Sequence, residues 1–115
     1  MLGAAHACAN PLTSRYGIAH GAAVLLMLPH VVRFNAAMNG ALYDGLDELA
    51  ESGSLAGRLE AMRRVGGLPE RLRDAGVPAE ELPGLASEAS GQWTASFNPR
   101  PVTRDDLLGF YEAAY

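Results

Sequence analysis

The apolar residues of this chain recur at helical spacings, with no run of alternating polar and apolar positions, so the pattern predicts helices and no sheet. Residues 2–10 are Ala-rich and predict a helix that Pro11 ends, because proline lacks an N–H and biases Asn10 away from helical geometry. Thr13 to Ala19, with Ser14 and Gly17, then reads as a loop. From His20 to Asn35 the sequence is apolar almost all round, as in a buried helix, with a kink at Pro29, whose ring clashes with the Leu25 carbonyl. Residues 41–51 place Leu42, Leu46 and Leu49 on one stripe; after Gly53, Leu55, Leu59 and Met62 form another, closed by Gly66 and Gly67. LPERLRDAG reads as a short helical turn ending at Gly76, and Pro78 opens a segment that restarts at Pro83. Thr103 and Asp106 resemble a capping box, with Asp in place of Glu or Gln, ahead of a last helix through Leu107, Leu108 and Tyr111. The expectation is an all-α fold of five to six helices around one core.

Length and composition narrow the class. At 115 residues with 49% hydrophobic content the chain suits one globular domain. Its nine basic residues are all arginine, and 13 acidic residues leave a net charge of -4. Nucleic acid is a poor partner, since phosphate binding needs clustered positive charge. The adjacent pair Arg63 and Arg64 reads as solvated helix face. A lone cysteine, Cys8, cannot form an internal disulfide and nothing requires an oxidising compartment, so the cytoplasm is expected. The longest uninterrupted apolar stretch, Gly21 to Pro29, is about half of the roughly 20 residues that span a bilayer. No signal-peptide pattern precedes it, and neither secretion nor membrane insertion is expected.

His6 and His20 are the residues with the most chemical promise. On one unbroken helix they would share a face but stand roughly 21 Å apart, too far for a common ion. Pro11 and the following loop let the chain reverse, which allows two imidazoles to converge, and neutral imidazoles suit Fe, Zn, Ni or Cu. Spacing alone equally fits two ordinary, partly buried histidines. His30 lies roughly 80° around the helix from His20 and some 15 Å along it, and reads as structural. Cys8 falls on a different face from His6 and reads as a small buried residue. Asn10 reads as a helix-end residue, Trp93 and the four tyrosines as core or rim packing, and Asn98-Pro99-Arg100-Pro101 as a rigid turn.

The run HACANPLTSRYGIAHGAAVLLMLPHVVRFN, with its histidine, Pro-Leu turn, His-Gly pair and Leu-Pro-His-Val helix, resembles the iron-containing alcohol dehydrogenase family. GLPERLRDAGV, LASEAS and NPRPVTRDDLLGFYEAAY resemble that family's last helices, so the likeness covers the whole chain. It implies that residues 1–115 are the later part of a dehydroquinate-synthase-like helical domain. By the resemblance His6 and His20 are two metal ligands, for Fe(2+) or Zn(2+). The family's other two ligands, an aspartate and a histidine on an earlier helix, have no counterpart here. The N-terminal nucleotide-binding domain is likewise absent, so NAD(P) would bind only where such a domain is supplied. Some family members carry a histidine at the place of Asn10, where it assists proton transfer; an amide cannot. The resemblance implies metal-assisted, NAD(P)-linked oxidoreduction of a small-molecule alcohol or aldehyde, with the chain inactive by itself and associating as a homo-oligomer or with a complementary chain. A stand-alone helical binding or assembly module, and a relative like maleylacetate reductase, are the alternatives.

Overall fold

Two long N-terminal helices occupy the middle of the computed structural model, which describes residues 3–38, 40–48 and 53–115. Helix α1 is Gly3–Tyr16 and α2 is His20–Met38. They pack side by side, with α2 also meeting the later helices α4 (Leu55–Val65) and α6 (Arg104–Ala114). Helix α5 (Leu82–Ser90) packs on α1 and α6. Helix α3 is one turn, Asp44–Asp47, preceded by a 3-10 turn at Gly40–Tyr43. Further 3-10 turns lie at Arg73–Ala75, Ala79–Glu81 and Trp93–Phe97. Among the described residues there are six α-helices and no strand, the all-α architecture that the hydrophobic pattern predicts.

Both prolines expected to disturb a helix lie inside one. Helix α1 runs through Pro11 for another turn and a half, and the loop shrinks to 17–19. Burial overrides local preference: Ala4, Ala7, Cys8, Ala9 and Leu12 have no exposed surface, and releasing the chain at Asn10 would uncover them. Near the interrupted ladder, the Tyr111 hydroxyl donates to the Cys8 carbonyl at 2.8 Å. The helix stops instead at Gly17, whose left-handed φ of 65° suits glycine and whose N–H reaches the Thr13 carbonyl at 3.1 Å.

Pro29 deprives the Leu25 carbonyl of its helical donor, and Arg63 of α4 supplies another, with Nη1 at 3.4 Å. Arg63 is only 7% exposed, so the expected solvated arginine is a buried cross-link between helices. Arg33 and Glu60 pair beside it at 2.7 Å. These contacts set which side of α4 faces α2: Ala56 and Arg63 are buried, and Met62 of the predicted stripe is 54% exposed. The stripe over 41–51 fails similarly. The chain there makes a 3-10 turn and a single α-turn, with Leu42 and Leu46 exposed; Leu49 lies outside the described residues.

The C-terminal half follows its punctuation. Gly76, at φ 82°, closes the turn at Arg73–Ala75, and Pro83 sits in the first turn of α5. Thr103 and Asp106 form a true capping box: Thr103 Oγ1 accepts from the Asp106 N–H at 3.1 Å, and the Thr103 N–H donates to Asp106 Oδ2 at 2.8 Å. The core joins Leu26 and Met27 of α2 to Leu72, Leu85, Leu107 and Tyr111. The Asn98 turn is bolted to the end of α2. Asn35 and Asn98 exchange amide hydrogen bonds at 3.2 and 2.7 Å, and Arg100 stacks on the Phe34 ring at 3.6 Å while donating to the Phe34 carbonyl.

Candidate metal centre

The Gly17–Ala19 reversal brings the start of α2 back beside α1. His20 is the first residue of α2, and His6 lies one turn into α1. Their ring centroids are 5.4 Å apart and the ring planes are inclined at 47°. Two imidazoles held at about 2.0–2.1 Å by one tetrahedral ion have ring centres roughly 5 Å apart, so the pair suits a shared ion in separation as well as in donor chemistry. His6 is half-buried and His20 exposed, leaving one side open.

Among the described residues, no group of three or more His, Cys, Asp or Glu side chains gathers about a common point. His30 lies far along α2 among Arg33, Glu60 and Arg63; burial first, then the nearby arginines, hold its pKa below the usual imidazole range. Cys8 is fully buried, and burial pushes its thiol up to about 12 against a smaller opposing effect of the Tyr111 hydrogen bond. A thiol so held stays protonated and is a poor ligand.

One strip of α1 escapes full burial: Gly3, His6, Asn10 and Thr13, spaced by three and four residues. Asn10 is mid-helix rather than at a helix end, and its Nδ2 donates to Gln92 Oε1 at 3.0 Å. At the other end of the strip, a β-carbon on Gly3 would lie 3.6 Å from Asn98 Oδ1. The segment 92–98 therefore meets the strip at both its ends. It carries two exposed aromatic residues: Trp93, read from the sequence as core or rim, is 66% exposed and Phe97 is 53% exposed, edge to face at 5.5 Å. A cavity of about 360 Å³ lined by Ser90, Gln92, Ser96 and Asn98 opens beside this segment. Gln92 escaped sequence reasoning, since 82 positions separate it from Asn10 and no local pattern marks it.

The all-α fold brings two histidine rings together where α2 turns back beside α1. The model of the Fe-containing alcohol dehydrogenase family, C-terminal part, matches residues 1–115, and the chain belongs to that family. It is 33% identical to lactaldehyde reductase of Escherichia coli (strain K12) over 99% of this chain and 33% of the relative. With 1,3-propanediol dehydrogenase of Citrobacter freundii it shares 31% identity over 99% of this chain and 32% of the relative. Among solved structures, a 1,3-propanediol oxidoreductase superposes with a TM-score of 0.87 at 27% identity, covering 98% of this chain and 32% of that one. Sulfoacetaldehyde reductase from Bifidobacterium kashiwanohense, solved with NAD+, gives 0.76 at 25% identity over 97% and 30%. The chain thus spans about a third of the length of the relatives it matches.

Proposed function

We propose that His6 and His20 are two of the ligands of a divalent metal, Fe(2+) or Zn(2+), in an NAD(P)-linked alcohol dehydrogenase. The observation that carries this reading is the 5.4 Å separation of the two rings across a helix–turn–helix. When bound, such an ion acts as a Lewis acid on an alcohol or carbonyl oxygen. The chain's own residues do the rest of what falls to this segment. Gly17 sets the reversal that aligns the rings, the buried face of α1 fixes His6, and the open side at His20 admits the ion and a substrate oxygen.

Two imidazoles make half of a site. The further ligands and the nicotinamide-binding domain come from sequence outside residues 1–115, and without them the chain turns over no alcohol. The substrates are small-molecule alcohols or aldehydes, in keeping with the relatives' names, and the site of action is the cytoplasm. Nucleic acid is not the expected partner of a chain with net charge -4, in which Arg15 and Arg33 are held in ion pairs and Arg63 is buried. Helix α2 is long and apolar enough to cross a bilayer, yet eight of its residues are buried among α1, α4 and α6, as befits a core helix. Exposed Met62 and Val65 on α4 support association, with a second copy or a complementary chain.

Calorimetric titration with Zn2+ tests the site. One ion per chain is expected, with binding lost in His20→Ala. Binding that survives His20→Ala unchanged contradicts the assignment.

A further inference from the structure

We infer that Tyr111, on the last helix, is the positioning residue that sets the place of His6: its hydroxyl holds α1 at the Pro11 break, and through that hold the two imidazoles meet at the spacing an ion needs. The inference rests on the metal reading of His6 and His20. Pro11 lies inside α1 and withholds the N–H that the Ala7 carbonyl would accept, so the helix has one bond fewer just where the proline ring forces a bend. His6 is on the N-terminal side of that break, and His20 is joined to the other side through the Gly17–Ala19 turn. The ring separation of 5.4 Å therefore depends on the tilt between the two parts of α1. A change of about 10° over the roughly 7.5 Å from His6 to Pro11 moves His6 on the order of 1 Å. Metal–ligand bonds tolerate about 0.2 Å.

The Tyr111 hydroxyl is placed to fix that tilt. It donates to the Cys8 carbonyl at 2.8 Å, one residue beyond the carbonyl that Pro11 deprives of its helical donor. Ala7, Cys8 and Tyr111 have no exposed surface, so water cannot take over the bond. The donor comes from a separate frame: α6 packs mainly on α5 and α2, its start is fixed by the Thr103–Asp106 box, and 103 positions separate Tyr111 from Cys8. Arg63 does corresponding work at Pro29, donating to the Leu25 carbonyl. Each proline-broken helix thus takes a side-chain donor from another helix. In α1 the bond falls two residues from a proposed ligand, close enough for its loss to be felt at the ion.

Calorimetric titration of the wild-type chain, Tyr111→Phe and Thr103→Ala with Zn2+ tests this. Tyr111→Phe keeps the ring and removes only the hydroxyl. Without the bond a smaller fraction of molecules holds His6 in the binding position, and affinity falls with that fraction. The expected result is Zn2+ binding weakened by about fivefold in Tyr111→Phe, the worth of one hydrogen bond, and unchanged in Thr103→Ala, which weakens the same helix without removing its bond to α1. If Tyr111→Phe does not fold, the wild type decides, because coupling is reciprocal: Zn2+ should shift the Tyr111 Cζ carbon signal in step with the His6 imidazole nitrogens. Unchanged affinity in Tyr111→Phe, equal losses in both variants or, where Tyr111→Phe does not fold, a Tyr111 signal that ignores Zn2+ overturns this inference and leaves the metal reading standing. Failure of the wild type to bind Zn2+ at His6 and His20 overturns both.

Discussion

Pro29 removes a donor from α2, and Arg63 puts one back from a different helix. The Leu25 carbonyl at 3.4 Å is the point of exchange, in surroundings where an orphaned acceptor costs about 1–3 kcal/mol. This makes the two residues energetically coupled. Arg63→Met should destabilise the protein in thermal denaturation, and the loss should shrink by about 1 kcal/mol when Pro29→Ala restores the backbone donor. Additive effects of the two substitutions contradict the pairing. Nothing in the local sequence distinguishes Arg63 from Arg64. What separates them is that Arg63 meets a proline-broken turn 38 positions earlier, a contact only the folded chain creates.

At the level of the elements, helix starts and stops were legible wherever a short-range signal makes its own hydrogen bond. The Thr103–Asp106 box is the best case. The Asp106 carboxylate accepts from both the Thr103 N–H and the Thr103 hydroxyl, at 2.8 and 2.7 Å, and these bonds hold it below the ordinary carboxylate value, the backbone N–H being the larger cause. A carboxyl lowered in the folded state adds stability above its unfolded value and loses it as the pH falls through the folded one. Thr103→Ala should therefore cost about 1 kcal/mol near neutral pH, and the gap from wild type should narrow below about pH 4. Melting curves across that range check the prediction; a gap independent of pH contradicts it. Where tertiary burial competes with local preference, the sequence misled. Pro11 sits in α1 because Leu12 and its neighbours are buried around it. Leu42 and Leu46 lie on a turn too short to turn their four-residue spacing into a buried face.

Across the whole molecule, α1 and α2 lie together so that two histidines distant in sequence meet, and the C-terminal segment folds back to border them. The meeting of the rings followed from reading a reversal between them; the reversal is confined to residues 17–19 of the expected loop, and Pro11 lies within α1. The border was not legible, because Asn10 and Gln92 join across almost the whole chain. Exposed Leu42, Leu46, Met62 and Val65 leave apolar surface away from α1 and α2 in sequence, the surface on which the proposed association would rest. The central claim is that His6 and His20 hold one ion between them, and long-range nitrogen-15 spectra of the imidazole rings during Zn2+ titration test it most directly. One equivalent should shift a ring nitrogen of both residues together while His30 stays unmoved; shifts at only one of the pair, or at neither, contradict the account.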